Sequence, residues 1–259
     1  MSPTDPQSSP PPAKRSLPDR PIVWEVLAFV LILIVLLVVG WAVLSAVGDV
    51  AFGPDAGEAL RRGLPEGPKE SWIYLGSFAL FYLAVIVAAW LGMFAHAGRR
   101  GFALGLRPAT WPWFVGGTIA VIAVSQLLDM LLLPFLRDVM AIGGDELQIV
   151  LLIRALTATL PLAIGAVFVL GVLAPIAEEF FFRGLLFGWL RGLMPFWITA
   201  LITSALFGLA HGEIAHAIAA GILGLILAYI RERSGSLWPA IVAHVVNNLI
   251  AVMLVPLAI

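Results

Sequence analysis

The chain has no cysteine among its 259 residues. That excludes a thiol nucleophile, a disulfide framework and any thiolate metal site, and leaves the redox compartment undetermined. Charge is also scarce. Only 12% of residues are Asp, Glu, Lys or Arg, against about 25% in an ordinary soluble domain. The 15 basic and 16 acidic residues leave a net charge of −1, so no global field favours nucleic acid, and none is expected as a partner. Zinc-protease spacing of the H-E-x-x-H kind is absent. Without an internal repeat, nothing points to an inverted-repeat transporter.

What fills the space is apolar. Hydrophobic residues make up 61% of the chain and the mean hydropathy is +1.02, which defines an all-α, polytopic transmembrane helical bundle. A bilayer core of about 30 Å needs about 20 helical residues. Runs that meet or approach this length predict seven spans, at 22–47, 72–96, 112–136, 161–190, 195–211, 214–231 and 237–258. Barrel strands, with ~10 residues of alternating pattern, do not fit such runs. The fifth and sixth spans are short and divided near Gly212. Segment 138–160 reads as an interfacial or re-entrant helix, because Arg154 leaves its apolar run too short to cross. Residues 1–20, rich in Pro, Ser and Asp with Lys14, Arg15 and Arg20 near the end, read as a disordered cytosolic tail. The run that follows exceeds the 7–15 residues of a signal-peptide core, so it is taken as a retained span.

Three units follow: the tail 1–20, N-terminal transmembrane helices 21–110, and a core at 111–259. With the N-terminus inside, nine loop Lys and Arg face inward (Lys14, Arg15, Arg20, Arg99, Arg100, Arg107, Arg191, Arg231, Arg233) and five outward (Arg61, Arg62, Lys69, Arg137, Arg154). This balance predicts a multi-pass protein of the plasma membrane with a cytoplasmic N-terminus. Membrane lipid is therefore an expected partner.

Against this background the stretch Gly171–Arg191 stands out, because it buries Glu178, Glu179 and Arg183 within an apolar run. Charge at such depth costs at least about 2.5 kcal/mol per group and by default marks function. Glu179 and Arg183 are i, i+4 and share a face, which favours an ion pair. Glu178 points about 100° away on a 3.6-residue helix and is the freer carboxylate. Two further helices add polar groups at i, i+4 spacing: Phe207 with His211, and His244 with Asn248. A buried carboxylate beside His211 could deprotonate water. His244 and Asn248 could donate to an oxyanion. Glu178, His211 and His244 could equally hold a zinc ion with an open position for water, and spacing alone does not choose between these. Asn247 reads as interhelical glue.

Glu178-Glu179-x-x-x-Arg183, Phe207-x-x-x-His211 and His244-x-x-x-Asn248, in that order, resemble the three motifs of the CAAX protease and bacteriocin-processing (CPBP) family, which includes the type II CAAX prenyl endopeptidases. Gly105-Leu106 after a basic loop is similar to the segment that precedes the core in these proteins. The resemblance covers about residues 100–258. It implies an intramembrane endopeptidase acting on membrane-associated peptide or protein substrates, whether prenylated CAAX-type or leader-peptide. It further implies Glu178 as general base with His211 assisting, His244 and Asn248 as oxyanion site, and Glu179, Arg183 and Phe207 in support. The family is commonly labelled metalloprotease, while its type II CAAX enzymes resemble glutamate-dependent proteases, so no cofactor is assigned and zinc stays open. The alternative is a non-catalytic scaffold or bacteriocin-immunity-type protein whose polar core is structural.

Rival motifs carry less. His211 and His216 are i, i+5. Gly143-Gly144-Asp145 lies outside a clear span, with Asp129 the one buried partner available to an aspartyl protease. Ser234 and Ser236 sit in a charged loop, which argues against a serine nucleophile.

Overall fold

In hydrocarbon every backbone N–H and C=O must be satisfied within its own segment, so apolar runs of this length wind into helices. The computed structural model describes residues 19–52, 65, 67–140, 145–212 and 214–254, and the described residues are helical with no strand. Helix α1 is Val23–Phe52 and α2 is Pro68–Gly92. A short α3, Arg100–Leu104, follows. Helix α4 starts at Trp111, passes through a wider π turn at Leu128–Leu132 and ends at Met140. After α5 (Asp145–Leu156) comes α6, Leu160–Leu190. The chain closes with α7 (Phe196–Leu209), α8 (Ile214–Ser234) and α9 (Trp238–Leu254).

Five of these, α1, α2, α4, α6 and α8, are long and apolar enough to cross a membrane, and α7 and α9 are shorter apolar helices. All seven expected spans therefore appear as apolar helices, and the chain is an integral membrane protein. Segment 138–160 differs in detail. Its first residues belong to the end of α4, and α5 is a separate 12-residue helix, about 18 Å long at 1.5 Å per residue and too short to cross. It is tied to α2 by Ser71 Oγ donating to the Ala155 carbonyl at 3.1 Å. Residues 1–18, most of the loop 48–71, Gly143, Gly144 and the last residues of the expected core lie outside the described residues, as does the side chain of Asp145.

Helix α6 is the centre. It packs against α2 on one side and α9 on the other, while α7 and α8 form an antiparallel hairpin along its second half. One core cluster joins Phe29 of α1, Ala88 and Ala89 of α2, Leu104 of α3, Ala177, Phe180 and Leu185 of α6, and Ile241 of α9. The α7–α8 contact is backbone-close. A Cβ on Gly208 would lie 2.3 Å from the Ala217 carbonyl oxygen, which no side chain can yield to. Gly208→Ala is expected to force the hairpin apart and cost about 1–3 kcal/mol, read as a lowered thermal midpoint of the detergent-purified protein.

Two stretches of α6, Val167–Leu173 and Phe180–Leu186, take the wider π winding and flank the short α segment Ala174–Glu179. Such windings are rare and concentrate at functional sites. Pro175 supplies a local cause for the first, because it has no N–H to give. In a π turn an N–H at 175 would reach the Leu170 carbonyl. That carbonyl instead accepts from Asn248 Nδ2 of α9 at 3.4 Å.

Candidate functional site

The two glutamates of α6 diverge as helix geometry requires, yet both reach the same imidazole. Glu179 is fully buried, and its Oε1 accepts from Arg183 Nη1 at 2.7 Å and pairs with His244 Nδ1 at 2.9 Å. Glu178 approaches from the other side, with Oε2 3.6 Å from His244 Nε2. His244 thus bridges the two carboxylates, with one ring nitrogen held and the other turned toward Glu178. The Glu178 side chain is 20% exposed, against 3% for His244 and none for Glu179, so the freer carboxylate is also the less buried one. Among the described residues its buried Oε2 has no hydrogen-bond partner.

Arg183 is held at both terminal nitrogens. Besides Glu179, its Nη2 donates to the Gly224 carbonyl of α8 at 3.2 Å, and its guanidinium carbon lies 4.2 Å from the Phe207 ring centroid. A desolvated cation over an aromatic face contributes up to about 2 kcal/mol. Phe207 is the common wall. It meets His211 edge-on at 4.8 Å, His244 at 5.7 Å and Phe182 at 5.1 Å between centroids. His211 is exposed at the end of α7, and its Nδ1 lies 2.8 Å from the Phe207 carbonyl oxygen. A carbonyl only accepts, so Nδ1 carries the proton and Nε2 of the neutral ring is left with its lone pair. Both His211 and His244 lie within electrostatic reach of Glu178.

The structure therefore brings together Glu178, Glu179, Arg183, Phe207, His211 and His244. Asn248 is one turn along α9 from His244, with one amide N–H engaged by Leu170. The possible zinc set fares differently. Among the described residues no group of three His, Asp or Glu side chains is placed to hold a metal ion. The metalloprotease label therefore finds no support in the donor arrangement of the described residues. Ser236 Oγ donates to the Arg107 carbonyl and Ser234 Oγ to the Ser236 carbonyl, which are loop-bracing roles rather than those of a nucleophile.

One buried pair escaped the spacing rules. Glu25, at the start of α1, is fully buried against His96, just past α2, with both carboxylate oxygens 2.9 Å from His96 Nδ1. The same carboxylate accepts the backbone N–H of His96 and of Ile22, each at 3.1 Å, the latter being half of a capping box. The residues are 71 apart in sequence, and the available signal was a carboxylate placed where an apolar run begins. Glu25→Ala strips partners from a buried imidazole and two N–H groups and is expected to cost about 1–3 kcal/mol, measured as a drop in thermal midpoint that His96→Ala reproduces.

These features define a polytopic membrane protein with a Glu–His–Glu–Arg constellation at the junction of α6, α7, α8 and α9. Residues 160–250, which contain all of it, match the family described as type II CAAX prenyl endopeptidase Rce1-like. It is 31% identical over 88 residues to YdiL of Bacillus subtilis (strain 168), described as a candidate membrane peptidase. That match covers 34% of this chain and 36% of the relative. An uncharacterized 24.3 kDa protein of Escherichia coli is 27% identical over 177 residues, 65% of this chain and 73% of its own. The chain thus spans about a third of the Bacillus relative. No solved structure matches it significantly.

Proposed function

We propose that the protein is an intramembrane endopeptidase that hydrolyses membrane-associated peptide substrates, prenylated CAAX-type or leader-bearing, with water activated by Glu178. The observation that carries this is the division of labour between neighbouring carboxylates. Glu179 is locked by Arg183 and His244, whereas Glu178 is part-exposed and unpartnered at Oε2. The Glu179–Arg183 ion pair sums to zero, so Glu178 works beside it with no net charge from the pair in hydrocarbon.

In the reaction, Glu178 takes a proton from water as the water oxygen attacks the scissile carbonyl carbon. His211 Nε2 accepts the water's other O–H and aims it. Negative charge on the carbonyl oxygen is met by His244 and the second amide N–H of Asn248. Collapse breaks the C–N bond, and the proton held by Glu178 passes to the leaving amine. Glu179 and Arg183 orient His244 and do not touch substrate. Residues 111–259 would form the catalytic core and 21–110 a supporting pair of helices, in the plasma membrane with the N-terminus cytoplasmic.

The test is cleavage of prenylated CAAX and leader-bearing peptides by the purified protein in lipid vesicles. His244→Ala is expected to reduce kcat/KM by about 10²–10³, the loss typical of an oxyanion donor. Chelator treatment is expected to leave the rate unchanged. Equal rates in wild type and variant would instead leave a scaffold whose polar core is structural.

A further inference from the structure

At the C-terminal end of α6, a cavity of about 120 Å³ opens between the N-terminal segment, α6 and α8. It lies about 20 Å from Glu178 along the helix, 13 residues on at 1.5 Å each. Arg20, Arg191 and Arg231 line it, with Asp19 and Glu232. The two acids are already spoken for: Glu232 by Arg191 at 2.9 Å and Asp19 by Arg99 at 2.6 Å. Among the described residues, no hydrogen bond or ion pair engages the guanidinium of Arg20 or of Arg231, and the Nε of Arg231 is cut off from solvent. The Arg231 head lies flat against Gly105, where a Cβ would fall 2.1 Å from its Nη2. Gly105 itself has φ +90, a conformation that favours glycine. Gly192 makes the same room for Arg20. Glycine thus seats both unpaired guanidiniums, and both line one cavity.

We infer that this cavity binds a phosphoryl anion, supplied by the headgroup of an anionic phospholipid. Guanidinium forks match phosphate oxygens bidentately, and among the described residues two of them stand free here beside a third, Arg191, that donates to the Glu232 carboxylate and the Met194 carbonyl. Depth selects lipid over a solution anion. Arg20 precedes the first membrane helix by three residues, Arg191 follows the span Leu160–Leu190 by one, and Arg231 is in the last turn of Ile214–Ser234. Three span ends therefore meet at headgroup level. Trp24 and Trp197, at 65% and 66% exposed, ring the same level, as interfacial tryptophans do. Basic pockets between helix ends are a recognised form of lipid headgroup site. Binding here does not depend on peptide hydrolysis at Glu178.

The experiment measures thermal stabilisation and native-mass-spectrometric binding of detergent-purified full-length protein with short-chain phosphatidylglycerol, phosphatidylcholine and inorganic phosphate. Phosphatidylglycerol is expected to bind at least tenfold more tightly than phosphatidylcholine. Arg231→Gln is expected to weaken it at least fivefold and Arg20→Gln, at an exposed position outside the packed core, at least threefold. Arg233→Gln, exposed on the same helix and outside the cavity, should leave binding unchanged. Equal binding of the two lipids, or the same affinity in wild type, Arg20→Gln and Arg231→Gln, overturns the site. Phosphate binding as tightly as phosphatidylglycerol, with the same dependence on Arg20 and Arg231, overturns the lipid assignment.

Discussion

Glu178→Gln is expected to reduce peptide cleavage by about 10²–10⁴, the usual contribution of a positioned general base, while leaving the thermal midpoint of the purified protein within about 1 °C of wild type. Both halves follow from the same geometry. The amide keeps the volume of the carboxylate but cannot accept a proton from water, so the chemical step is lost. Stability is spared because the side chain is part-exposed and its Oε2 makes no hydrogen bond that an amide would break. The contact with His244 Nε2, at 3.6 Å, is too long to be a strong bond. Measuring kcat and KM separately sharpens the result. A base that acts in the transition state lowers kcat and kcat/KM together and leaves KM nearly unchanged. A cleavage rate within twofold of wild type would remove Glu178 from the chemistry and hand the site to the scaffold reading.

Much of this arrangement can be read from spacing, and where it cannot, the reason is physical. Run length identifies the membrane helices because the bilayer imposes its own thickness on them. The i, i+4 rule finds Glu179 with Arg183 and Phe207 with His211, since one helix turn sets those contacts locally. The convergence of α6, α7 and α9 on His244 is set by packing between helices. Spacing could suggest that Glu178 and Glu179 point apart, but not that one imidazole would meet both. Glu25 and His96 show the same limit more sharply, as nothing periodic links residues on two helices 71 positions apart. The partner of Asn248 was equally hidden. It is a backbone carbonyl freed by local winding around Pro175, and a π turn leaves little trace in an apolar run. Close approach of Gly208 to Ala217 belongs to the same class, because any small residue pattern would read alike before the helices meet.

Glu179→Ala should act through the fold rather than the reaction, and its effect on stability is expected to be the largest of any single change in the site. Removing the carboxylate leaves Arg183 fully buried with its charge uncompensated, and loses the bond to His244 Nδ1. Breaking a buried pair from one side costs about 3–5 kcal/mol, a large share of the roughly 5–15 kcal/mol that holds a typical domain together. The Gly224 carbonyl and the Phe207 face remain to Arg183, but neither supplies negative charge. Glu179→Gln keeps an acceptor for Arg183 and should fall between, which separates loss of charge from loss of shape. The discriminating variant is Glu179→Leu with Arg183→Met. Replacing a buried pair by apolar side chains of similar size is often neutral, so the double variant should recover most of the stability that Glu179→Ala loses. It should not recover cleavage, because His244 would have lost the carboxylate that orients its ring. Thermal midpoints and cleavage rates for the four proteins therefore move apart: stability returns in the double variant and activity does not. If both returned together, Glu179 would be a packing residue only, and the orientation of His244 would have to come from Phe207 and the rest of α9.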